Sequence, residues 1–580
     1  MKKLQYISFL FILFSLAFIG CDDDNIDPIT KVDPGADSAM PVVNIISPIE
    51  GFQIQVPDPL ASVGIELRAE DDIELISVTV SFDGTEIASY NEFTDYRIVT
   101  RELVYDQVTT GEHVISVAAT DLAGNTTTNS VTFSKEPPYT PQFQGEMFYM
   151  PFDGSYSDLI TFKDANEVGN PGFAGESVAG SDAYKGATDS YLTFPTTGML
   201  GNEFSASFWY KLNNDPDRAG ILVIGPPDTN NPDAQNNRSN GFRFFRENAS
   251  GMQRFKLNVG NGTADTWVDG GAAADVDPSL NEWVHMAFTI SETEAIVYIN
   301  GVPVKTSTIT GVGWEGCDIL SIMSGAPRFT GWNHRSDRSQ MDELRLFNKA
   351  LSPNEITQII AKSSIIFNMK FNGSYSDTVT KKDATEVGNP GFAGESVEGL
   401  DAYAGAADSY LTFPTDGMLG DELSAAFWYK LNNSPDRAGV LVIGPPDTNN
   451  PNAQNNRTNG FRFFRENASG MQRFKLNVGN GTADSWFDGG SAADVDPSVN
   501  EWVHLAFTIS STECVVYING EVVKQGAFTG VGWEGCDILS IMSGAPRFTG
   551  WNHLSDQSYM DDLQIFKKAL TQEQIQSLMD

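Results

Sequence analysis

Phe204-Ser-Ala-Ser-Phe-Trp-Tyr-Lys211 alternates in the manner of a half-buried β-strand, with every second side chain on one face. Trp283-Val-His-Met-Ala-Phe-Thr-Ile290 repeats the pattern. Ala295-Ile-Val-Tyr-Ile299 then runs into Asn300-Gly301, a strong hairpin signal, and a new strand opens at Val302. One short amphipathic helix is predicted around Ser352-Pro-Asn-Glu-Ile-Thr-Gln-Ile-Ile360, with Ser352 as N-cap and Pro353 in its first position. Dense strands closed by a small helix predict a β-sandwich or jelly roll over residues 146–361.

That unit is written twice. Residues 148–360 recur as 367–579 without a gap: Gly154 matches Gly373, a shift of 219 (373−154). Most differences conserve volume, as in Ile221/Val440 and Met286/Leu505. Two runs, Asn240–Asp265 and Thr310–His334, recur letter for letter and are rich in Asn, Arg, Gly and aromatics. Two copies of one polar, aromatic surface predict double engagement of a repetitive partner, with avidity if the linker lets both bind. A recent, undrifted duplication is the plainer reading.

The 580 residues carry 76 acidic against 37 basic side chains, a formal net charge of −39. That balance excludes nucleic acid and anionic membrane faces as partners and suits a soluble, exposed protein. It is also compatible with calcium, whose ligands are hard oxygens. Aromatics at 11% and 53 glycines fit a turn-rich all-β chain. The four cysteines are too few for a disulfide-stapled scaffold. Cys317 and Cys536 occupy equivalent strand positions and read as small buried hydrophobes; a Cys514–Cys536 bridge would be private to the second copy and is not expected.

Lys2 and Lys3 precede an apolar stretch from Ile7 to Ile19, too short to span a bilayer, so residues 1–20 read as a signal peptide. Gly20-Cys21 resembles the bacterial lipobox, which implies lipidation of Cys21. Asp22-Asp23-Asp24 resembles the acidic tag that sends lipoproteins of Bacteroidetes-type bacteria to the outer face of the outer membrane. Residues 21–40 form a tether rich in Asp, Pro, Gly and Ser. Residues 41–136 hold short alternating runs, such as Ile76-Ser-Val-Thr-Val-Ser-Phe82 before Asp83-Gly84, and predict an immunoglobulin-like sandwich acting as a spacer. A stiff, proline-rich linker follows over 137–145, then copies at 146–361 and 362–580.

The order Ser-Phe-Trp-Tyr-Lys (207–211), Trp-Val-His-Met-Ala-Phe-Thr (283–289), Val-Tyr-Ile-Asn-Gly (297–301), Met-Asp-Glu-Leu-Arg-Leu-Phe (341–347) and Lys-Ala-Leu-Ser (349–352) resembles the laminin-G-like, concanavalin A-like lectin/glucanase group. The second copy repeats the series at Trp428, Trp502, Tyr517-Ile-Asn-Gly520, Met560-Asp561 and Lys568-Ala-Leu570. The resemblance implies two stacked antiparallel sheets in each copy, so the expected all-β chain is the immunoglobulin-like sandwich followed by two concanavalin A-like jelly-roll sandwiches. In many relatives a concave face or edge loop binds glycans. Some relatives hold a structural Ca²⁺ between the first strand and the last-strand aspartate, which implies Asp153 with Asp342, and Asn372 with Asp561. Asn372 lacks a charge, so the second site should be weaker. The fold alone names no ligand.

Glucanases of this group carry Glu-x-Asp-x-x-Glu on one strand, and neither copy has that spacing. Asp342-Glu343 and Asp561-Asp562 are adjacent and point to opposite faces of a strand. Neither the Gln-x-His nor the Tyr-x-Lys-x-Gly strand of jelly-roll alginate lyases occurs, and no Ser/His/Asp series or zinc-spaced cluster does. The sequence therefore predicts no catalysis. His285 and His504 read as strand-packing residues, and Phe242, Phe244 and Trp209 as core.

Sugar rings present apolar C–H faces rimmed by hydroxyls, so their sites combine a flat aromatic with amide, carboxylate and guanidinium partners. The repeated runs supply Arg243, Arg246, Trp314, Arg328, Trp332, Asn333 and His334, with Trp267 and Tyr210 nearby. Their counterparts are Arg462, Arg465, Trp486, Trp533, Arg547, Trp551, Asn552 and His553. Arginines at the ligand would make an acidic polysaccharide a natural partner. The loop Pro226–Asn237 is oxygen-rich, and Asp228, Asn230, Asn231 and Asp233 offer a second calcium candidate. The expectation is an outward-facing outer-membrane lipoprotein that binds polysaccharide without cleaving it. It resembles the glycan-binding accessory lipoproteins of Bacteroidetes polysaccharide-utilisation systems, which implies glycan-uptake partners in the outer membrane. The rivals are a surface adhesin for protein or neighbouring cells and a glycan-active enzyme with an atypical site. A membrane-impermeant amine reagent should label the protein on intact cells; labelling only after lysis would sink the outward orientation.

Overall fold

The alternation of Phe204–Lys211 becomes the central strand of a sheet whose inner face is the core of the first module. The computed structural model describes residues 39–54, 56, 58–432 and 434–580. The signal peptide, Cys21, the acidic tag and nearly all of the tether lie outside the described residues. The chain forms two units, Met1–Thr140 and Pro141–Asp580. In the first unit, a three-stranded sheet (Val42–Ser47, Ala61–Glu70, Ile98–Val108) and a five-stranded sheet (Phe52–Ile54, Leu75–Phe82, Thr85–Tyr90, Gly111–Asp121, Thr126–Lys135) enclose a core that includes Leu67, Val78, Val80, Val117 and Phe133. This is the expected immunoglobulin-like sandwich.

In the second unit, the first module uses β1 (Tyr191–Pro195), β2 (Phe204–Lys211), β3 (Arg218–Ile224), β4 (Asn240–Ala249), β5 (Met252–Asn261), β6 (Asp265–Asp269), β7 (Trp283–Ile290), β8 (Glu294–Ile299), β9 (Val302–Thr308), β10 (Ile319–Ile322), β11 (Gln340–Phe347) and helix α1 (Pro353–Lys362). A front sheet runs β1-β10-β3-β4-β5-β6 and a back sheet β11-β2-β7-β8-β9, each extended by short strands. Their inner faces interdigitate: Phe204, Phe208 and Tyr210 of β2 meet Phe242 and Phe244 of β4, Leu257 of β5 and Phe288 of β7. Burying each such side chain contributes about 1.5–3 kcal/mol.

The turn residues do what the sequence requires of them. Asn300 (φ 50°) and Gly301 (φ 77°) both take the left-handed conformation of the tight turn between β8 and β9. Ser352 caps α1 in a reciprocal box with Glu355, and Pro353 follows in the first turn. The helix lays Ile356 and Ile359 on Ala287, Tyr298 and Phe347, the outer face of the back sheet. The second module repeats the topology and ends in α2 (Gln572–Ser577). Cys317, Cys514 and Cys536 are free and buried.

Arg246 leaves β4 into a sealed polar cluster at one end of the sandwich. Its guanidinium binds Asp337 through Nη2–Oδ1 (2.8 Å) and Nε–Oδ2 (2.9 Å), and reaches the Tyr210 hydroxyl, Gln253 Oε1 and the Pro216 carbonyl. Arg246 and Asp337 are both fully buried, and Arg465 with Asp556 and Tyr429 repeats the cluster. Arg246, Arg465 and Tyr210 therefore tie the front sheet to the back one instead of facing a ligand, which corrects the reading from sequence. Removing one partner strands a buried charge. Arg246→Ala should cost the first module about 3–5 kcal/mol in denaturant unfolding, while Arg328→Ala, which breaks a half-exposed pair with Asp318, should cost about 0–1 kcal/mol. Equal small losses would show that the cluster is not a strut.

Candidate functional site

The outer face of the front sheet begins with strand register. Val268 enters the core, so its neighbour Trp267 points outward from β6. Asn258 of β5 lies opposite Trp267, Arg243 of β4 opposite Asn258, and Val223 of β3 opposite Arg243. The loop 325–334 folds back over this row. It can do so because two glycines meet: a Cβ on Gly220 would lie 2.1 Å from Gly325 N, and one on Gly325 would lie 1.9 Å from the His334 carbonyl. Phe329 then packs on Phe245 (5.3 Å between centroids), and His334 stacks on Phe329 (4.7 Å).

The loop delivers Trp332 to Trp267. Their rings stack at 5.9 Å and 22°, yet they stay 39% and 38% exposed. Phe245 and Phe329 support them edge-on from below. Arg238 completes the platform, its guanidinium 4.8 Å from the Trp332 centroid and 5.7 Å from that of Trp267. Asp265 holds Arg238 Nε at 3.0 Å and is itself held by Asn258 Nδ2 at 2.7 Å. The second module builds the same platform from Trp486, Trp551 and Arg457, with the tryptophans 5.7 Å apart. Beside it in the first module opens a shallow polar depression of about 470 Å³, lined in part by Glu247, Arg254, Lys256 and Asp275.

His334 is fully buried under the loop, with Nε2 3.1 Å from Glu247 Oε1. Burial lowers its pKa, and contact with His334, together with Lys256, holds the Glu247 carboxyl down at about 2. His334 and His553 are thus supports beneath Trp332 and Trp551, not surface contacts as expected. Arg243 is also fully buried, donating to the Asn240 carbonyl (2.8 Å) and the Asn237 carbonyl, and burial lowers its pKa to about 10. It and Arg462 pin the loop that carries Arg238 or Arg457; the ligand-facing reading is corrected for both. Trp314 packs on Phe204 and donates to the Gly201 carbonyl at 2.7 Å, and Trp533 does likewise with Gly420, away from the platform. Arg328 and Arg547 pair with Asp318 and Asp537 at 2.6 Å. Asn333 and Asn552 are exposed next to the tryptophans, in left-handed backbone. Arg238 escaped the sequence reading because it precedes the invariant run by two residues; its identity with Arg457 was the available signal.

The predicted metal residues form a different cluster. Asp342 Oδ2 accepts from Val178 N (2.7 Å) and Ala179 N (3.2 Å), while Asp153 accepts from the backbone of Ser181 and Asp182. Burial, then the neighbouring carboxylates of Glu343 and Asp153, push the Asp342 carboxyl up to about 8. In the second copy Asn372 accepts from Leu400 N and Asp401 N, and burial raises Asp561. Among the described residues, no three His, Cys, Asp or Glu side chains gather in metal-binding geometry. In the oxygen-rich loop, Asp228 accepts from Asn231 N and its own N–H donates to Gln235, an internally satisfied turn.

Comparison with known proteins finds no match among curated ones. Among solved structures, the chain is similar to domain 4 of AbnA, a GH43 extracellular arabinanase from Geobacillus stearothermophilus in complex with arabinotriose, at 18% identity over 37% of this chain and 98% of that one, with a TM-score of 0.29. It is similar to domains LG4-5 of the mouse laminin alpha1 chain at 11% identity over 74% and 96%, TM-score 0.22. The binding domain of botulinum neurotoxin serotype C1 is similar at 11% over 73% and 94%, TM-score 0.31. The sequence pattern of a protein family matches residues 185–357 and again 405–576, more than half of the chain and once in each module. By that double match the chain belongs to the concanavalin A-like lectin/glucanases superfamily.

Proposed function

We propose that the chain is a surface lipoprotein that binds polysaccharide through its two modules and does not cleave it. The observation that carries this reading is the exposed Trp267–Trp332 pair with Arg238 stacked on it, built again as Trp486–Trp551 with Arg457. Isolated exposed tryptophans are ordinary, but a supported pair held flat in solvent, twice, matches the apolar face of a sugar ring. The part-exposed Arg238 guanidinium and Asp265 carboxylate supply hydroxyl partners at its rim. The Glu247 carboxyl beside the platform is held down at about 2 and so is not poised as a general acid, which supports binding without hydrolysis. Cys21 after Gly20, with Asp22–Asp24 behind it, supports lipid anchoring and outward display, where glycan-uptake proteins of the outer membrane would be its neighbours. In affinity gels cast with arabinan, xylan, laminarin or alginate, the wild type should be retarded by at least one polymer. The fourfold variant Trp267→Ala, Trp332→Ala, Trp486→Ala, Trp551→Ala should run free while keeping its melting temperature. Undiminished retardation of that variant would refute the site, and release of reducing ends from the retarding polymer would refute the non-catalytic reading.

Calcium is proposed as a structural ion of the first module, held by Asp153 and Asp342. The crowding that drives Asp342 from 3.8 to about 8 supports this, because a hard divalent cation would relieve it. A folded-state pKa raised above the unfolded one favours the protonated fold. The stabilisation is complete below about pH 4 and is lost as pH climbs towards 8. Calcium should therefore raise the melting temperature at pH 8 and leave it unchanged at pH 4. Asp342→Asn should remove that difference. Equal melting temperatures in calcium and EGTA at pH 8 would dispose of the ion.

A further inference from the structure

The two modules meet over their back sheets. Trp209, in the middle of β2 on the outer face, is only 4% exposed. Its indole N–H donates to Ser363 Oγ at 2.9 Å, in the short connection between α1 and the second module's first strand, Ile365–Met369. Lys568 of the second module holds its ammonium 4.9 Å from the Trp209 ring centroid, and Lys567 donates to the Val178 carbonyl. Helix α1 runs against α2. Ala361 and Ile365 pack with Ala426, Tyr517 and Phe566, which project from the outer face of the second back sheet.

Each front sheet is therefore the face its module turns away from the other. The layers run front sheet, back sheet, helices, back sheet, front sheet. With sheets about 10 Å apart and a helix layer about 10 Å across, the two tryptophan platforms lie ~30–40 Å apart and look in opposite directions. We infer that the chain is a two-headed bridge holding two separate polysaccharide strands, one on each outer face, instead of gripping one strand with both modules. The inference rests on the platforms being sugar-binding surfaces, and it reverses the expectation that duplication serves avidity on a single strand. A short linker and a packed interface fix the two heads, so the effective concentration of one head along the strand held by the other is close to zero.

Two measurements on the full chain test this. Spin labels at Asn333→Cys and Asn552→Cys, beside the two platforms, should give one narrow distance distribution above about 30 Å, since three of the native cysteines are buried. A distribution centred near or below about 20 Å would overturn the back-to-back arrangement. Arabinan, xylan, laminarin and alginate are then mixed with the protein and followed by light scattering. The polymer that retards the wild type in gels should be cross-linked, with scattering that rises and then falls as protein is added. Trp267→Ala with Trp332→Ala, or Trp486→Ala with Trp551→Ala, should bind that polymer within about threefold of the wild type yet scatter no more than polymer alone. Loss of about tenfold or more in affinity in either variant, without wild-type cross-linking, would mean that both heads share one strand. Retardation by none of the four polymers would overturn the reading of the platforms, and the bridge with it, whatever the measured distance.

Discussion

Successive side chains of a strand must leave it on opposite faces, and β4 spends both faces in full. Phe242 and Phe244 enter the core, while Arg243 and Phe245 face the loops outside. A slip of one residue would bury Arg243 among phenylalanines and push Phe242 into the loop that Arg243 pins. The same rule places Trp267 outside because Val268 is inside. Core and candidate site are thus two sides of one decision about register. This accounts for a long run that is identical in both copies even though it includes core residues such as Phe242 and Leu257.

Above that sheet, the platform depends on close approach together with hydrogen bonds, Thr330 and Gly331 donating their N–H groups to the Gln235 carbonyl and Arg218 to that of Trp332. Gly220 and Gly325 let the backbone of the 325–334 loop lie directly on β3. Phe329 and His334 then fill the space between loop and sheet. Burial lowers the pKa of His334 beneath the loop. The result is a rigid aromatic shelf, and a shelf that does not have to order itself loses little entropy when it binds.

Fold class was legible because it is written in periodicity. The alternation of Phe204–Lys211, the Asn300-Gly301 turn and the Ser352-Pro353 cap each have one physical solution, and the structure contains it. The site was legible only in part. Trp267 and Trp332 could be named from their chemistry, but their stacking depends on a loop that crosses the sheet, and no local pattern encodes that crossing. Arg243 and Arg246 were misjudged for the same reason. Alternation tells which face a side chain takes, not whether a loop or a buried carboxylate such as Asp337 waits there. A paired, sealed arginine and a ligand-seeking one look alike as letters.

The interface between the modules also shows how the copies have parted. In the first module Lys349 is tied to Glu355 of its own helix at 2.6 Å. In the second the equivalent helix residue is Gln574, and Lys568, the counterpart of Lys349, reaches across to Trp209. Asn348 likewise stands where Lys567 contacts Val178. The duplicated halves have therefore become a matched left and right hand. A chain assembled from two first modules would keep both tryptophan shelves, but it would lose the Lys567 ammonium and would tie the lysine facing Trp209 to a glutamate of its own helix. The joint that orients the shelves thus differs between the copies, while the tryptophans and arginine of the shelves themselves are the same in both.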